Sequence, residues 1–148
     1  MNTLRLSRLR AGAVSAMAIA LGGCCFGGPT YDTVPVSGTL KYADGTNIEA
    51  EVANIQFVPS DLANAGTKAA SGDVRPDGTF TLTTVNPGDG AFVGEYKVTV
   101  RVWKTYNGRE PLIDSKYEDP GTTPLAAKVE DVSDNHFDFT VERAKPGR

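Results

Sequence analysis

Gly94-Glu-Tyr-Lys-Val-Thr-Val-Arg-Val-Trp103 is the stretch on which the fold turns. Its apolar residues recur at every second position: Tyr96, Val98, Val100 and Val102 on one face, Lys97, Thr99 and Arg101 on the other. A period of two is that of a strand, whose side chains alternate across the sheet, and valine fits a pleated, half-buried surface. The stretch predicts a long strand with one dry face and one wet face. Such a face needs a second layer to cover it.

Reading outward, the same alternation returns on both sides. Val34, Val36, Gly38, Leu40 and Tyr42 share one face, with Ser37, Thr39 and Lys41 opposite, and Ala43-Asp-Gly45 supplies a turn. Ala53, Ile55 and Phe57 alternate with Asn54 and Gln56 up to Pro59. Ser60–Lys68 is small and polar and reads as a loop, followed by a weak strand over Ala70–Val74. Pro76-Asp-Gly78 is a turn signal, because proline presets φ and glycine accepts φ > 0. Phe80 and Leu82 alternate with Thr79, Thr81 and Thr83, and the loop Asn86-Pro-Gly-Asp-Gly90 follows.

Beyond Trp103, residues 104–124 form a long connection containing Asn107-Gly108 and Pro111, Pro120 and Pro124. Leu125, Ala127 and Val129 mark a further strand, and Phe137, Phe139 and Val141 the last. No segment holds a helical period over three turns. Seven strands separated by turn signals predict an all-β fold: a single antiparallel two-sheet sandwich over residues 34–142 with a frayed basic tail at 143–148. Strand order stays open, since immunoglobulin-like and transthyretin-like sandwiches share this alternation.

The amino end has another character. Arg5, Arg8 and Arg10 precede the uncharged run Ala11–Leu21, and no acid occurs before Asp32. A basic region followed by about 7–15 apolar residues is an export signal, too short to span a bilayer of about 30 Å as a helix. The run closes in Leu21-Gly-Gly-Cys24, which resembles the lipobox of bacterial lipoproteins. This predicts a signal peptide over 1–23, lipidation of Cys24 by acyl chains such as palmitate, and a flexible tether over 24–33. Cys25 is the weaker anchor, because its lipobox would begin at Gly22. Each buried acyl methylene contributes about 0.8 kcal/mol, so two or three long chains hold a protein at a membrane essentially permanently. Cys25 rather than Asp follows the anchor, so the expected location is extracytoplasmic, in the outer membrane where the envelope has two.

Residues 1–23 hold three of the 15 Lys and Arg and none of the 18 Asp and Glu, which leaves the mature chain near a net charge of −6. An acidic domain of this kind offers no footprint for nucleic acid. With Cys24 lipidated, only one thiol remains, so stability must come from the core.

Val36-Ser-Gly-Thr-Leu-Lys-Tyr-Ala-Asp-Gly45, Ile55-Gln-Phe-Val-Pro59, Asp77-Gly-Thr-Phe-Thr-Leu-Thr83 and Gly94-Glu-Tyr-Lys-Val-Thr-Val100 resemble the carboxypeptidase-regulatory-like, transthyretin-like domains. Pro111-Leu-Ile, Lys116-Tyr117, Pro120, Thr123-Pro-Leu125 and Asn135-His-Phe-Asp-Phe139 look like the small lipoproteins of planctomycete-type bacteria. The resemblance covers about residues 34–142. It implies an extracellular prealbumin-like sandwich of unassigned function. The hydroxyisourate hydrolases among transthyretin-like proteins use histidines and a Tyr-Arg-Gly-Ser ending; this chain ends Ala144-Lys-Pro-Gly-Arg148.

Candidate chemistry is sparse. His136 is the single histidine, and a triad or a histidine-rich metal site asks for more than one ring supplies. Asp73, Asp77 and Asp89 lie in turns rich in oxygen ligands, yet turn geometry accounts for them without calcium. Glu118, Asp119, Glu130, Asp131 and Asp134 read as solvated surface. Trp103, Tyr106 and Tyr117 flank the long connection. Exposed, they would stack on a sugar or anchor a partner; buried, they would cap the open end of the sandwich. The expectation is a non-catalytic structural or protein-interaction module with no cofactor and no metal. Binding of an envelope polysaccharide or peptide by the 103–117 region is the alternative.

Overall fold

The computed structural model describes residues 32–61, 68–108 and 110–145. The expected signal segment, Cys24, Cys25, the tether up to residue 31, the interior of the 60–68 loop and the last three residues lie outside them.

The described chain is all-β, with a single short 3-10 turn at Ser115–Tyr117. In order the strands are β1 (Thr33–Val34), β2 (Val36–Tyr42), β3 (Val52–Pro59), β4 (Ala70–Asp73), β5 (Thr79–Thr81), β6 (Ala91–Phe92), β7 (Gly94–Trp103), β8 (Ala126–Val129) and β9 (Asn135–Val141). They form a three-stranded sheet β5-β2-β9, a four-stranded sheet β4-β3-β7-β8, and the small ladder β1-β6. β7 is the strand expected from the Gly94–Trp103 alternation. Tyr96, Val98, Val100 and Val102 are all buried, and in β2 Val36, Leu40 and Tyr42 are buried likewise.

Four features differ from the expected antiparallel seven-strand sandwich. The first is that β2 and β9 run parallel, with Val36 opposite Asn135 and Tyr42 opposite Val141. Alternation fixes which face a residue occupies and carries no information on the neighbouring strand or its direction. Next, the strand expected from Val34 breaks at Pro35, which has no N–H to give a ladder. Thr33–Val34 turns away instead and pairs with Phe92 and Ala91. Thr99, on the outer face by alternation, is only 7% exposed. Finally, the carboxy-terminal tail is attached at its start: Arg143 bridges to Ile113, and the Ala144 amide donates to the Leu112 carbonyl (2.9 Å). An isolated bridge on the outer side of the chain past Val141 holds these residues in place.

Phe57 joins the two layers. Its ring lies 5.7 Å from Tyr96 in its own sheet, and 6.5, 5.7 and 6.0 Å from Phe80, Phe137 and Phe139 in the facing one. Burying each such ring contributes about 1.5–3 kcal/mol, and tilted aromatic pairs add specificity of geometry.

Strand direction gives the sandwich two distinct ends. The near end holds Asp32, the β1-β6 ladder, the 84–90 loop and the 130–134 turn. The far end holds the carboxyl ends of β2, β7 and β9. At the near end Gly90 has φ +86, and a Cβ there would collide with the Val34 carbonyl oxygen. Only glycine lets the 84–90 loop seat against the incoming chain.

Candidate functional site

The far end carries an open cleft of about 900 Å³. Tyr42 at the end of β2, Thr46, Asn47 and Glu49 after it, Lys104 just beyond β7, Glu110–Leu112, and Arg143–Lys145 beyond β9 line it. These positions follow from where three strands stop. The 110–112 segment returns to the same end because Pro111 bridges to Trp103 and the Lys104 amide donates to the Glu110 carbonyl (2.9 Å).

Arg143 organises the cleft. Its guanidinium carbon lies 3.6 Å from the Tyr42 ring centroid, and Nη2 donates to Thr46 Oγ1 (2.8 Å) and Asp44 Oδ2 (3.3 Å). Burial pushes the Tyr42 hydroxyl up from its ordinary value, with the Arg143 charge opposing. Hydrogen bonds from the Thr46 hydroxyl and amide, aided by Arg143, hold the Asp44 carboxyl below the usual range. Lys104 pairs with Glu110 at 3.5 Å, both exposed, and Glu51 Oε2 accepts the Tyr106 amide (3.1 Å). The lining thus mixes cations, carboxylates and one aromatic ring. Neither histidine nor cysteine lines it. Within it the Thr46 hydroxyl also donates to the Asp44 carboxylate.

The three aromatics of the 103–117 region end up in three environments. Tyr106 is 73% exposed. Trp103 is half-buried on the outer face of its sheet, with the Arg101 guanidinium 5.4 Å from its ring. Tyr117 is 4% exposed, and its hydroxyl accepts the Glu142 amide (3.3 Å). Tyr117 therefore belongs to the cap of the core and not to a contact surface, because the 3-10 turn directs it inward. Lys116 lies over its ring at 4.9 Å and pairs with Glu142 at 2.7 Å, a bond that raises the lysine pKa. The three rings do not make one flat platform.

The aspartates considered for calcium serve local closure. Asp77 Oδ1 accepts the Thr79 amide (2.9 Å) and hydroxyl (2.7 Å), which lowers its pKa. The Asp89 carboxylate accepts three amides, from Thr84, Val85 and Asn86. Asp73 receives Asn54 Nδ2 at 3.3 Å beside a second concavity of about 560 Å³ along the β4–β5 seam.

One grouping was not foreseen. The parallel register sets Ser37 beside His136 and Thr39 beside Asp138, though 99 residues separate each pair in the chain. Ser37 Oγ is 3.2 Å from His136 Nδ1, His136 Nε2 is 3.4 Å from Asp138 Oδ1, and Thr39 Oγ1 donates to that same oxygen at 2.6 Å. These are the residue types of a nucleophilic triad. They lie, however, on a flat sheet face with His136 and Asp138 side chains 52% and 72% exposed. The ladders on both sides of β2 take up that strand's own backbone amides. The hydroxyl of Thr39 is the main cause holding Asp138 below its usual pKa. The grouping is a cross-strand polar ladder that supports the β2–β9 pairing.

Comparison with protein-family models, with curated proteins and with solved structures yields no match to this chain.

Proposed function

We propose that this chain is a lipid-anchored β-sandwich of the bacterial cell envelope, acting as a non-catalytic module that binds a partner protein. The observation that carries the reading is the polarity of the domain. The described chain starts at Asp32 on one end, and a large cleft that gathers the termini of three strands opens at the other. A lipid on Cys24 would hold the near end toward the membrane and present the far end outward. The likeness of residues 34–142 to carboxypeptidase-regulatory-like domains belongs to the same proposal, as does placement in the outer membrane.

A protein partner is favoured over a polysaccharide by the aromatic residues. Sugar platforms need exposed, coplanar rings, and among the described aromatic residues only Tyr106 stands clear of the surface. The mixed-charge cleft suits polypeptide better than neutral glycan.

The test is crosslinking mass spectrometry on isolated envelopes carrying the full-length protein. One partner crosslinked repeatedly through Lys104 or Lys145 supports the reading. Glycan-modified peptides with no protein partner overturn it in favour of polymer binding. The anchor is checked separately by labelling cells with a palmitate analogue: Cys24→Ala abolishes incorporation and Cys25→Ala preserves it. Label retained in Cys24→Ala defeats the assignment of the anchor.

A further inference from the structure

β9 is the outer strand of its sheet, and the parallel register determines which of its backbone groups are used. The Asn135 amide donates to Pro35 and the Val141 carbonyl accepts from Ala43, so residues 135, 137, 139 and 141 turn their backbone groups toward β2. The even residues turn theirs outward. At 142 and 144 those outward groups are taken: Glu142 O accepts the Asp114 amide and the Ala144 amide donates to Leu112. At His136, Asp138 and Thr140 no described residue takes them. That leaves an open window of five residues, about 17 Å long.

The other edges are managed. β4 and β5 close on each other through the paired bonds of Ser71 and Thr83 (2.9 and 2.8 Å). β8 is four residues long and carries Lys128, a residue that blunts edges. The β9 window has no lysine, proline or bulge. On its inner side Phe137 is only half-buried although its neighbour Phe139 is 8% exposed. On its outer side stands Asp138, 72% exposed.

We propose that the β9 edge takes up an extended segment of a partner polypeptide as a fourth strand of the β5-β2-β9 sheet. The added strand places apolar side chains over Phe137 and a lysine or arginine opposite Asp138, so the segment alternates apolar and polar residues around a central cation. Main-chain bonds to the even residues supply affinity, and the alternating side chains supply specificity. The inference rests on reading the domain as a protein-binding module and names where on it the partner lies.

The experiment is hydrogen–deuterium exchange of the full-length protein in isolated envelopes against the same protein purified in detergent, with Thr140→Pro as control. The Thr140 amide points away from β2, so proline there removes a docking bond and leaves the β2–β9 ladder whole; an unchanged melting temperature checks this. Expected is slowing of the 136, 138 and 140 amides by about tenfold or more in envelopes, with the slowing at 136 and 138 lost in Thr140→Pro. Equal rates in both preparations overturn the proposal, as does protection that survives in Thr140→Pro. Protection at 103–112 alone also overturns it while leaving the module reading standing; protection nowhere overturns both. Protection of the window in concentrated purified protein assigns the edge to a second copy and refutes the partner segment.

Discussion

Replacing Asp89 tests how the 84–90 loop is held and how the domain responds to acid. One carboxylate oxygen accepts the Thr84 amide at 2.7 Å; the other accepts those of Val85 and Asn86 at 3.0 and 2.8 Å. Partial burial raises the Asp89 pKa, but the amide bonds outweigh it and the group sits below its ordinary value. A carboxyl depressed in the folded state contributes stability that is complete above the unfolded pKa of about 3.9, and loses it as pH falls through the folded pKa. A hydrogen bond to a charged group is worth about 1.5–3 kcal/mol, and three of them would give a large total. The loop is exposed, however, so the freed amides rehydrate. We expect a net loss of about 2 kcal/mol for Asp89→Ala and about 1 kcal/mol for Asp89→Asn at pH 7. Urea unfolding followed by Trp103 fluorescence reads these differences. At pH 3 and below the gap between wild type and Asp89→Ala should shrink, because the wild-type carboxyl itself becomes protonated. A gap as wide at pH 2 as at pH 7, or an Asn variant as stable as wild type at pH 7, would refute this account of the loop.

Three further outcomes follow from the packing. In Gly38→Ala the new Cβ meets the Phe137 carbonyl oxygen and comes within 2.6 Å of Phe80 Cζ. Overpacking of this kind costs about 1–3 kcal/mol; Phe80→Leu should recover only part of the lost melting temperature, since the backbone clash stays, and full recovery would count against it. Arg143→Ala removes the cover of Tyr42 and the bonds to Asp44 and Thr46, an expected loss of about 1–2 kcal/mol by calorimetry. Arg143→Lys should restore under half of it, because an ammonium cannot both stack and donate in the guanidinium plane. Tyr106→Ala should leave stability within about 0.5 kcal/mol while weakening crosslinks at the far end; a large fall in melting temperature would place Tyr106 in the fold instead.

Much of the fold was legible in residue alternation. The inner faces of β2 and β7 were identified from Val36, Leu40, Tyr42 and Tyr96–Val102, because a one-residue error would turn every valine to water. The Pro35 break is written in the chain too, since proline gives a ladder no N–H. What alternation cannot encode is adjacency: nothing local to Ser37 or His136 announces that they meet. The same limit hid the cleft, since Tyr42, Lys104 and Arg143 share it only because three strands end at one level. For Tyr117 the position beside the long connection allows both a contact and a cap of the sandwich, and its burial is that of the cap. The 3-10 turn that buries it begins at Asp114, whose carboxylate accepts the Lys116 amide (3.0 Å); an Asp two residues before Lys116 was the available signal.

The β2–β9 pairing also sets when the domain can exist. Val36, among the first residues of the sandwich, has its partner at Asn135. Loops of that length close slowly, and sheets dominated by such contacts fold in about milliseconds to seconds. For a chain exported as proposed, amino end first, β2 can meet β5 early, but its other neighbour, β9, arrives only when the last strand has crossed. A nascent chain lacking residues 135–141 leaves one edge of β2 unpaired and the Phe57 cluster without Phe137 and Phe139. Completion of the chain is thus the event that closes this sheet and fills its part of the core.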